Sequence, residues 1–247
     1  MSRNNGKRAL VTGSSRGIGR AIAIALAKDG FEVIVHCAGN KEKADETKDI
    51  IVAQGGKARI VSGDLCDIQN VQLLIAEMGS IDVLVLNASL QIRKKWDEIP
   101  VEDCYQQLNC NFISSLKLIQ AAVPHMKKQH WGRVVTIGSV QEVKPHPDML
   151  IYSASKAAQT NMVLSLALQL AADGITVNNV APGVIYTDRN KGVLADEAYA
   201  KQVTESIPVG FYGEPEDLAG MVSLLCSEKG RYITGQSIYV DGGKGVQ

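Results

Sequence analysis

The chain has 247 residues, 45% of them hydrophobic and 21% charged, which suits one α/β domain with a sizeable core. Its 26 basic and 26 acidic residues balance, so we expect no nucleic-acid surface. Five scattered cysteines without CxxC spacing argue against a disulfide framework and a metal site. The sequence shows neither an apolar signal segment nor a long apolar stretch, so we expect a cytoplasmic protein without a membrane span.

Short apolar runs alternate with helical patterns along the chain. This alternation predicts a doubly wound parallel sheet of seven strands with helices on both faces and a ligand at the carboxyl ends of the strands. The predicted strands are 9–11, 32–37, 58–62, 81–86, 133–137, 176–180 and 237–240. The predicted helices are 18–28, 41–54, 68–78, 101–129, 152–172 and 215–226.

A glycine-rich segment follows the first predicted strand. Gly13, Gly17 and Gly19 lie between that strand and the first helix, which is the context of a dinucleotide-binding turn. There Gly13 allows the tight turn, Gly17 lets the backbone approach a pyrophosphate, and Gly19 permits close helix packing. The alternative for this segment alone is an ordinary turn before a helix.

A second group of polar residues lies in the later part of the chain. Tyr152 and Lys156 are spaced i and i+4, so at a helix start the ammonium lies near the phenol and brings its pKa toward neutrality. Ser139 follows an apolar run, which predicts a strand end and a hydroxyl free to hold a substrate oxygen. The alternative for these residues alone is a helix start with an exposed lysine and an unrelated serine.

Ordered motifs along almost the whole chain resemble the short-chain dehydrogenase/reductase family, in particular the bacterial 3-oxoacyl-(acyl-carrier-protein) reductases. The resemblance implies a single-domain Rossmann fold over residues 1–247, with a dinucleotide-binding half at about 1–140 and a catalytic half at about 139–247. The motifs that carry it are the glycine turn, Asp64, 86–89, Asn111, 137–139, 152–156, 181–187 and 233–243.

The resemblance implies an NAD(P)(H)-dependent oxidoreductase that interconverts a ketone and a secondary alcohol by hydride transfer. Tyr152 would protonate the carbonyl oxygen in reduction and act as the base in oxidation. Lys156 would lower the Tyr152 pKa and hold the nicotinamide ribose, and Ser139 would hydrogen-bond the reacting oxygen. Asn111, for which Asn109 is the alternative, would bind a water that links Lys156 to solvent.

The cofactor positions also follow from the resemblance. They are Gly13, Ser15, Arg16, Gly17, Ile18, Gly19, His36, Asp64, Leu65, Asn87, Ala88, Tyr152, Lys156, Pro182, Gly183, Ile185 and Thr187. Asp64 would pair with the adenine amino group, although an Asp at a strand end is often only a turn residue. Two positions depart from the family, because Leu86 and Ser89 stand where asparagine and glycine are usual.

The end of the second strand indicates which nicotinamide cofactor is used. An acid there normally selects the unphosphorylated form, and the segment 35–41 has none. Arg16 can meet a 2′-phosphate, with Lys41 or His36 assisting. The sequence therefore favours NADP(H) over NAD(H).

The substrate is less defined. We expect a lid at about 187–208, with Arg189, Asn190, Lys191 and Tyr199 as candidate lid residues. A 3-oxoacyl thioester is the first candidate. The alternative is a sugar, polyol or other secondary alcohol, because the segment 144–149 resembles sugar and polyol dehydrogenases of the family. A dinucleotide sensor without catalysis is the remote alternative.

Partners are predicted from the same resemblance. Acyl carrier protein stays an open partner, because Asp173 replaces a basic docking residue whereas His130, Lys127 and Lys128 keep part of the basic patch. We also expect a homotetramer built on the helices 101–129 and 152–172. Candidate interface residues are Leu116, Ile119, Val123, Met162, Leu166 and Leu170, several of which must serve the core instead.

Overall fold

A parallel β-sheet forms the centre of the protein. The computed structural model describes residue 4 and residues 6–246, and in them the strand order is β3-β2-β1-β4-β5-β6-β7, with every neighbouring pair parallel. The strands are β1 (Arg8–Val11), β2 (Glu32–Cys37), β3 (Lys57–Ser62), β4 (Val83–Leu86), β5 (Gly132–Ile137), β6 (Ile175–Pro182) and β7 (Ser237–Val240). The predicted doubly wound sheet of seven strands is confirmed.

Helices cover both faces of the sheet. They are α1 (Gly17–Lys28), α2 (Lys41–Ala53), α3 (Ile68–Met78), α4 (Val101–Leu108), α5 (Ser114–Gln129), α6 (Leu150–Leu170), α7 (Asp188–Leu194), α8 (Glu197–Glu205) and α9 (Pro215–Cys226). Successive strand residues point to opposite faces, so Ala9 and Val11 join the core under α1, α2 and α9, whereas Leu10 joins the core under α3, α5 and α6. Two apolar layers therefore hold the strand ends in place.

The predicted helix 101–129 is interrupted. Between α4 and α5 the residues Asn109–Ile113 form a π-helical turn, in which the Ser114 N–H donates to the Asn109 carbonyl. Such a turn contains one residue more than an α-helical turn and is often found at functional sites. Periodicity alone predicts one regular helix because every residue in this stretch stays helical.

Other boundaries differ by a few residues. Helix α6 begins at Leu150, and β4 begins at Val83 although Ile81 before it is fully buried. The polar segment at 187–208 contains α7 and α8. Its side chains face both the cleft and solvent, so the sequence shows no apolar stripe at helical spacing.

The interface candidates lie in or against the core, with Leu116, Val123 and Leu166 partly buried against it. Ile119, Met162 and Leu170 are buried in the core under α3, α5 and α6, so they are not available at the surface. Leu164 and Leu168 of α6, which the sequence did not single out, are 46% and 87% exposed. Exposed leucines on a long helix mark a surface that another protein chain can cover.

The described residues contain neither a membrane-spanning helix nor a cluster of metal ligands. No helix there is long and apolar enough to cross a membrane. No group of three or more His, Cys, Asp or Glu side chains in this part of the chain could hold a metal ion.

Candidate active site

One cavity of about 790 Å³ lies at the carboxyl ends of the strands. This volume suits a large ligand such as a dinucleotide together with a small substrate. Its lining contains every sequence-derived site residue except Asn111: Gly13, Ser15, Arg16, Gly17, Ile18, Gly19, His36, Asp64, Leu65, Asn87, Ala88, Ser139, Tyr152, Lys156, Pro182, Gly183, Ile185 and Thr187. The sheet therefore brings residues from all parts of the sequence to one cleft.

The glycine turn connects β1 to α1. Gly13 has φ +63°, a conformation that side chains rarely adopt. A Cβ at Gly19 would collide with the Gly13 carbonyl oxygen and would lie 2.6 Å from Asn87 Nδ2. That Asn87 amide donates to Thr12 O at 2.9 Å and to Gly13 O at 3.2 Å. Asn87 thus braces the turn, which keeps its backbone open to the cleft.

His36 supports this turn from below. Its Nδ1 accepts from the Gly13 N–H at 3.0 Å, and its Nε2 lies 2.9 Å from Gly63 O, so Nε2 carries the proton. Burial lowers the His36 pKa, which keeps the ring neutral. Because backbone groups take both nitrogens, the expectation that His36 assists Arg16 at a phosphate is not supported.

The cation beside Arg16 is instead Lys43, which sequence reasoning missed. Arg16 Nη1 and Lys43 Nζ lie 3.5 and 3.1 Å from the same oxygen, Asp188 Oδ2. The Lys43 bond and charge, together with Arg16, lower the Asp188 pKa. Neither lysine lines the cleft itself, but Lys43 pairs with the lining residue Asp188, whereas Lys41, the sequence candidate, is exposed. Lys43 lies in the first turn of α2, beyond the strand end that the motif directs attention to.

Asp64 and its neighbours end β3. Asp64 Oδ1 accepts from the Cys66 N–H at 2.9 Å, so it is a turn residue, and it also lines the cleft. Leu65 is buried. The turn role of Asp64 is thus observed, and its pairing with an adenine amino group stays a prediction.

Ser139 and Tyr152 meet at the end of β5. Ser139, Tyr152 and Arg189 line the same cavity, and the Arg189 guanidinium and the Ser139 hydroxyl both favour ionisation of the phenol. Burial nevertheless raises the Tyr152 pKa, with the Arg189 charge and the Ser139 bond opposing it. The expected lowering of this pKa by Lys156 is therefore not seen, because desolvation outweighs the nearby cations.

Lys156 is buried behind the tyrosine. Its Nζ lies 5.8 Å from the Tyr152 ring centroid and donates to Ile137 O at 2.7 Å and to Gln159 Oε1 at 3.0 Å. Burial, with the Arg189 charge second, lowers the Lys156 pKa to about 7. The side chain is therefore fixed by the end of β5 and can change its charge near neutral pH.

Asn111 lies in the π-helical turn, under the cleft. Its Oδ1 accepts from the Leu90 N–H at 2.8 Å, and its Nδ2 donates to Leu90 O and Ser155 Oγ, both at 2.9 Å. These three bonds tie the π turn to the segment after β4 and to α6. A water relay through Asn111 stays a proposal, and the observed contacts show a residue that fixes the distance between these elements.

The start of α7 crosses the cleft. Arg189 Nη2 donates to Ser89 O at 2.9 Å and lies 3.3 Å from Ser89 Oγ. Of the candidate lid residues, Asn190 and Tyr199 also line the cavity, whereas Lys191 is exposed outside its lining. The helices α7 and α8 thus have the position of a lid.

The end of β6 completes the cleft. A Cβ at Gly183 would lie 2.8 Å from Asp241 Cα, and Ile185 is buried against Gly213 through a β-bridge. Thr187 is 3.4 Å from the Cβ position of Gly17. The β6 end therefore faces the glycine turn across the cavity.

Similarity to known proteins agrees with this geometry. A family model described as enoyl-(acyl carrier protein) reductase matches residues 13–244. The chain is 39% identical to 3-oxoacyl-[acyl-carrier-protein] reductase of Staphylococcus aureus, covering 96% of this chain and 97% of the relative.

The chain belongs to the short-chain dehydrogenase/reductase family. A 3-oxoacyl (acyl-carrier-protein) reductase structure from Agrobacterium tumefaciens, with NADP bound, matches with TM-score 0.93 and 37% identity over 97% of this chain and 94% of that one. A gluconate 5-dehydrogenase from Burkholderia cenocepacia, in complex with NADP and tartrate, matches with TM-score 0.91 and 30% identity over 98% and 96%. The protein is therefore an oxidoreductase of this family.

The site residues fit a nicotinamide dinucleotide. The glycine turn leaves backbone space that a Cβ at Gly19 would fill, and the first residues of α1, whose N–H groups suit an anion, line the cavity. Arg16 lines the cavity beside Asp188, with which Lys43 also pairs, whereas Tyr152 and Lys156 line it near the end of β5. These two regions of the cavity correspond to a phosphate-bearing and a reacting part of one elongated ligand.

Proposed function

We propose that the protein is an NADP(H)-dependent oxidoreductase that interconverts a ketone and a secondary alcohol, with Tyr152 as the proton donor. A nicotinamide cofactor supplies or accepts the hydride when bound. The observation that carries the proposal is the meeting of Ser139, Tyr152 and Lys156 in the same cavity as the glycine turn. Ser139 and Tyr152 hydrogen-bond the reacting oxygen, and Lys156 orients the site from behind.

The state of Tyr152 favours reduction. Because burial raises its pKa, the hydroxyl keeps its proton at neutral pH. A protonated phenol can donate to a carbonyl oxygen, as general acid catalysis requires. Oxidation of the alcohol needs the opposite state, in which the cationic Arg189 and Lys156 stabilise the phenolate.

The cofactor preference rests on Arg16 and Lys43. Two cations at the end of the cleft suit a 2′-phosphate, for which a guanidinium offers paired donors. Asp188 occupies both cations, so a phosphate would compete with its carboxylate. The proposed preference is NADP(H) over NAD(H).

A 3-oxoacyl thioester is the first substrate candidate, because the Staphylococcus aureus relative is named for this reaction. Acyl carrier protein as the partner has weaker support. Lys127 Nζ lies 2.9 Å from Asp173 Oδ2, so an acid of the chain itself neutralises part of the basic docking patch. A thioester of a smaller carrier would avoid this surface.

A sugar, polyol or sugar-acid substrate is the second candidate. The gluconate 5-dehydrogenase similarity supports it, as do the basic residues at the substrate end of the cavity. A dinucleotide sensor is disfavoured, because Ser139, Tyr152 and Lys156 are all present and directed into one cleft.

The first experiment measures NADPH and NADH consumption with an acetoacetyl thioester, followed by the reverse reaction with sugars, polyols and hydroxy acids. Fast NADPH oxidation with the thioester supports the first candidate. Turnover only of hydroxy compounds supports the second. NADH preference would contradict the role proposed for Arg16 and Lys43.

We propose a homotetramer in the cytoplasm as the working state. The exposed Leu164 and Leu168 on α6 supply an apolar surface for a subunit contact. Analytical ultracentrifugation tests the assembly, and a monomer at micromolar concentration would contradict it. Cell fractionation with an antibody tests the location.

A further inference from the structure

The substrate end of the cleft carries an excess of basic side chains. Six basic residues line it: Arg93, Lys144, His146, Lys156, Arg189 and Lys244. The two acids among the described lining residues, Asp64 and Asp188, belong to the adenosine end. A cleft of one charge attracts ligands of the opposite charge and raises their local concentration. This end therefore favours an anionic substrate.

At the corner formed by Arg93 and His146, two N–H donors of the described residues converge on the two nitrogens of one imidazole. Arg93 Nη2 lies 3.3 Å from His146 Nε2, and the Asp148 N–H faces His146 Nδ1 at 3.1 Å. A neutral imidazole has only one acceptor nitrogen, so one of these donors faces another N–H. The Asp148 carboxylate is 3.9 Å from Arg93 and 4.0 Å from Nδ1, beyond hydrogen-bond range. An anionic oxygen would supply the missing acceptor.

Arg189 brings a guanidinium to the reacting group itself. Arg189 and Tyr152 line the same cleft, and the Arg189 charge opposes the rise that burial causes in the Tyr152 pKa. The guanidinium contacts the carbonyl and the hydroxyl of Ser89. The hydroxyl contact depends on Ser89, the position at which the chain departs from the glycine usual in the family. The backbone contact would remain with glycine, so the departure adds the two hydroxyl contacts to the one that positions Arg189.

We propose that the substrate is a small ketone bearing a carboxylate, which Arg189 binds beside the reacting carbonyl. This inference rests on the proposed function and specifies its substrate class. A guanidinium and a carboxylate form two parallel hydrogen bonds, which fix orientation as well as affinity. Ser89 is a positioning residue, because it acts through Arg189. Arg93 and His146 extend the positive surface toward the mouth of the cleft.

The test compares matched substrates that differ in charge alone. The kcat/KM of NADPH-dependent reduction is measured for 2-oxo and 3-oxo acids and for their primary amides. We expect the wild type to prefer one acid over its amide by about tenfold or more, because a charged pair contributes more than a neutral hydrogen bond. Arg189→Gln should lower the acid value about 10- to 100-fold and the amide value less than about threefold.

Ser89 provides the second variant. Ser89→Gly should lower the acid-to-amide ratio by a smaller factor, about threefold to tenfold, and Ser89→Thr should restore it because the hydroxyl returns. Lys95→Gln is the matched control, since Lys95 is exposed on the same segment as Arg93 but does not line the cleft. It should leave the ratio unchanged.

Four results would overturn the proposal. Equal efficiency with acid and amide, or an equal loss for both in Arg189→Gln, would refute the carboxylate-bearing substrate. The proposed ketone reduction would still stand. A raised KM for NADPH with an unchanged acid-to-amide ratio would assign Arg189 to the cofactor. NADPH binding without turnover of any ketone, thioester or alcohol would remove the proposed function, and this inference with it.

Discussion

The two ends of the cleft both carry cations, but the cations have different partners. At the adenosine end, Arg16 and Lys43 share the carboxylate of Asp188. At the substrate end, Arg189 binds the neutral oxygens of Ser89, and its charge favours ionisation of Tyr152. An anion that binds at the first end must displace the Asp188 carboxylate. An anion at the second end binds Arg189, whose partners among the described residues are neutral.

Replacing Tyr152 tests whether catalysis at the substrate end can be lost without loss of cofactor binding at the other end. In Tyr152→Phe the hydroxyl is lost from the substrate end, and we expect kcat to fall about 10²- to 10⁴-fold, the usual contribution of a general acid. NADPH affinity, measured by fluorescence, should stay within about threefold of the wild-type value, because phosphate recognition lies at the other end. Tyr232→Phe is the control, since that side chain is 98% exposed. Retained turnover in Tyr152→Phe would contradict the proton-donor role.

Arg16→Gln and Lys43→Gln break the adenosine end alone. Each should lower kcat/KM for NADPH about 10- to 100-fold, because a charge-assisted bond to phosphate is lost, and should leave kcat/KM for NADH nearly unchanged. Lys41→Gln is the matched control from the same helix. If Lys41→Gln shows the larger effect, the assignment of Lys43 is wrong.

Asp188→Asn should change NADPH affinity in the opposite direction. Without the carboxylate, Arg16 and Lys43 no longer exchange an internal partner for the phosphate, so NADPH should bind about two- to fivefold more tightly, the range expected for exposed ion pairs. NADH binding, measured by calorimetry, should not change. The exposed Glu197→Gln in α8 is the control, and weaker NADPH binding in Asp188→Asn would show that Asp188 assists the cofactor.

The pH dependence of stability tests the buried lysine at the substrate end. The folded-state Lys156 pKa is about 7, below the ordinary value of 10.5, so the unfolded chain binds more protons between these values and stability rises with pH across that window. Lys156→Met lacks this dependence. The difference between the wild-type Tm and the Lys156→Met Tm should therefore increase by about a few degrees between pH 7 and pH 9.5. A constant difference would contradict the lowered pKa.

The sequence allowed the sheet, the glycine turn and the Ser139–Tyr152–Lys156 group to be predicted, because each follows from local spacing at a strand end. Lys43 escaped prediction because its neighbours in space, Arg16 and Asp188, are far from it in the sequence. The contact between Ser89 and Arg189 spans 100 residues. Contacts of this kind depend on how the loops close over the sheet, which periodicity does not describe.

Electrostatic expectations failed for a different reason. The spacing of Tyr152 and Lys156 gave their proximity correctly, but the direction of the Tyr152 pKa depends on burial, and burial of a polar group cannot be obtained from a helix repeat. His36 shows the same limit, because its role is set by Gly13 and Gly63 on either side of the ring.

The π turn at Asn109–Ile113 has a consequence for the engineering of this chain. One extra residue in a helix rotates the directions of the side chains that follow it by about 100° about the helix axis. A face of α4 therefore does not continue as the same face of α5. Substitutions on each side can be chosen independently, but the length of this stretch cannot change. Deleting Cys110 would let a regular helix close, and Asn111 would then swing away from Leu90 and Ser155.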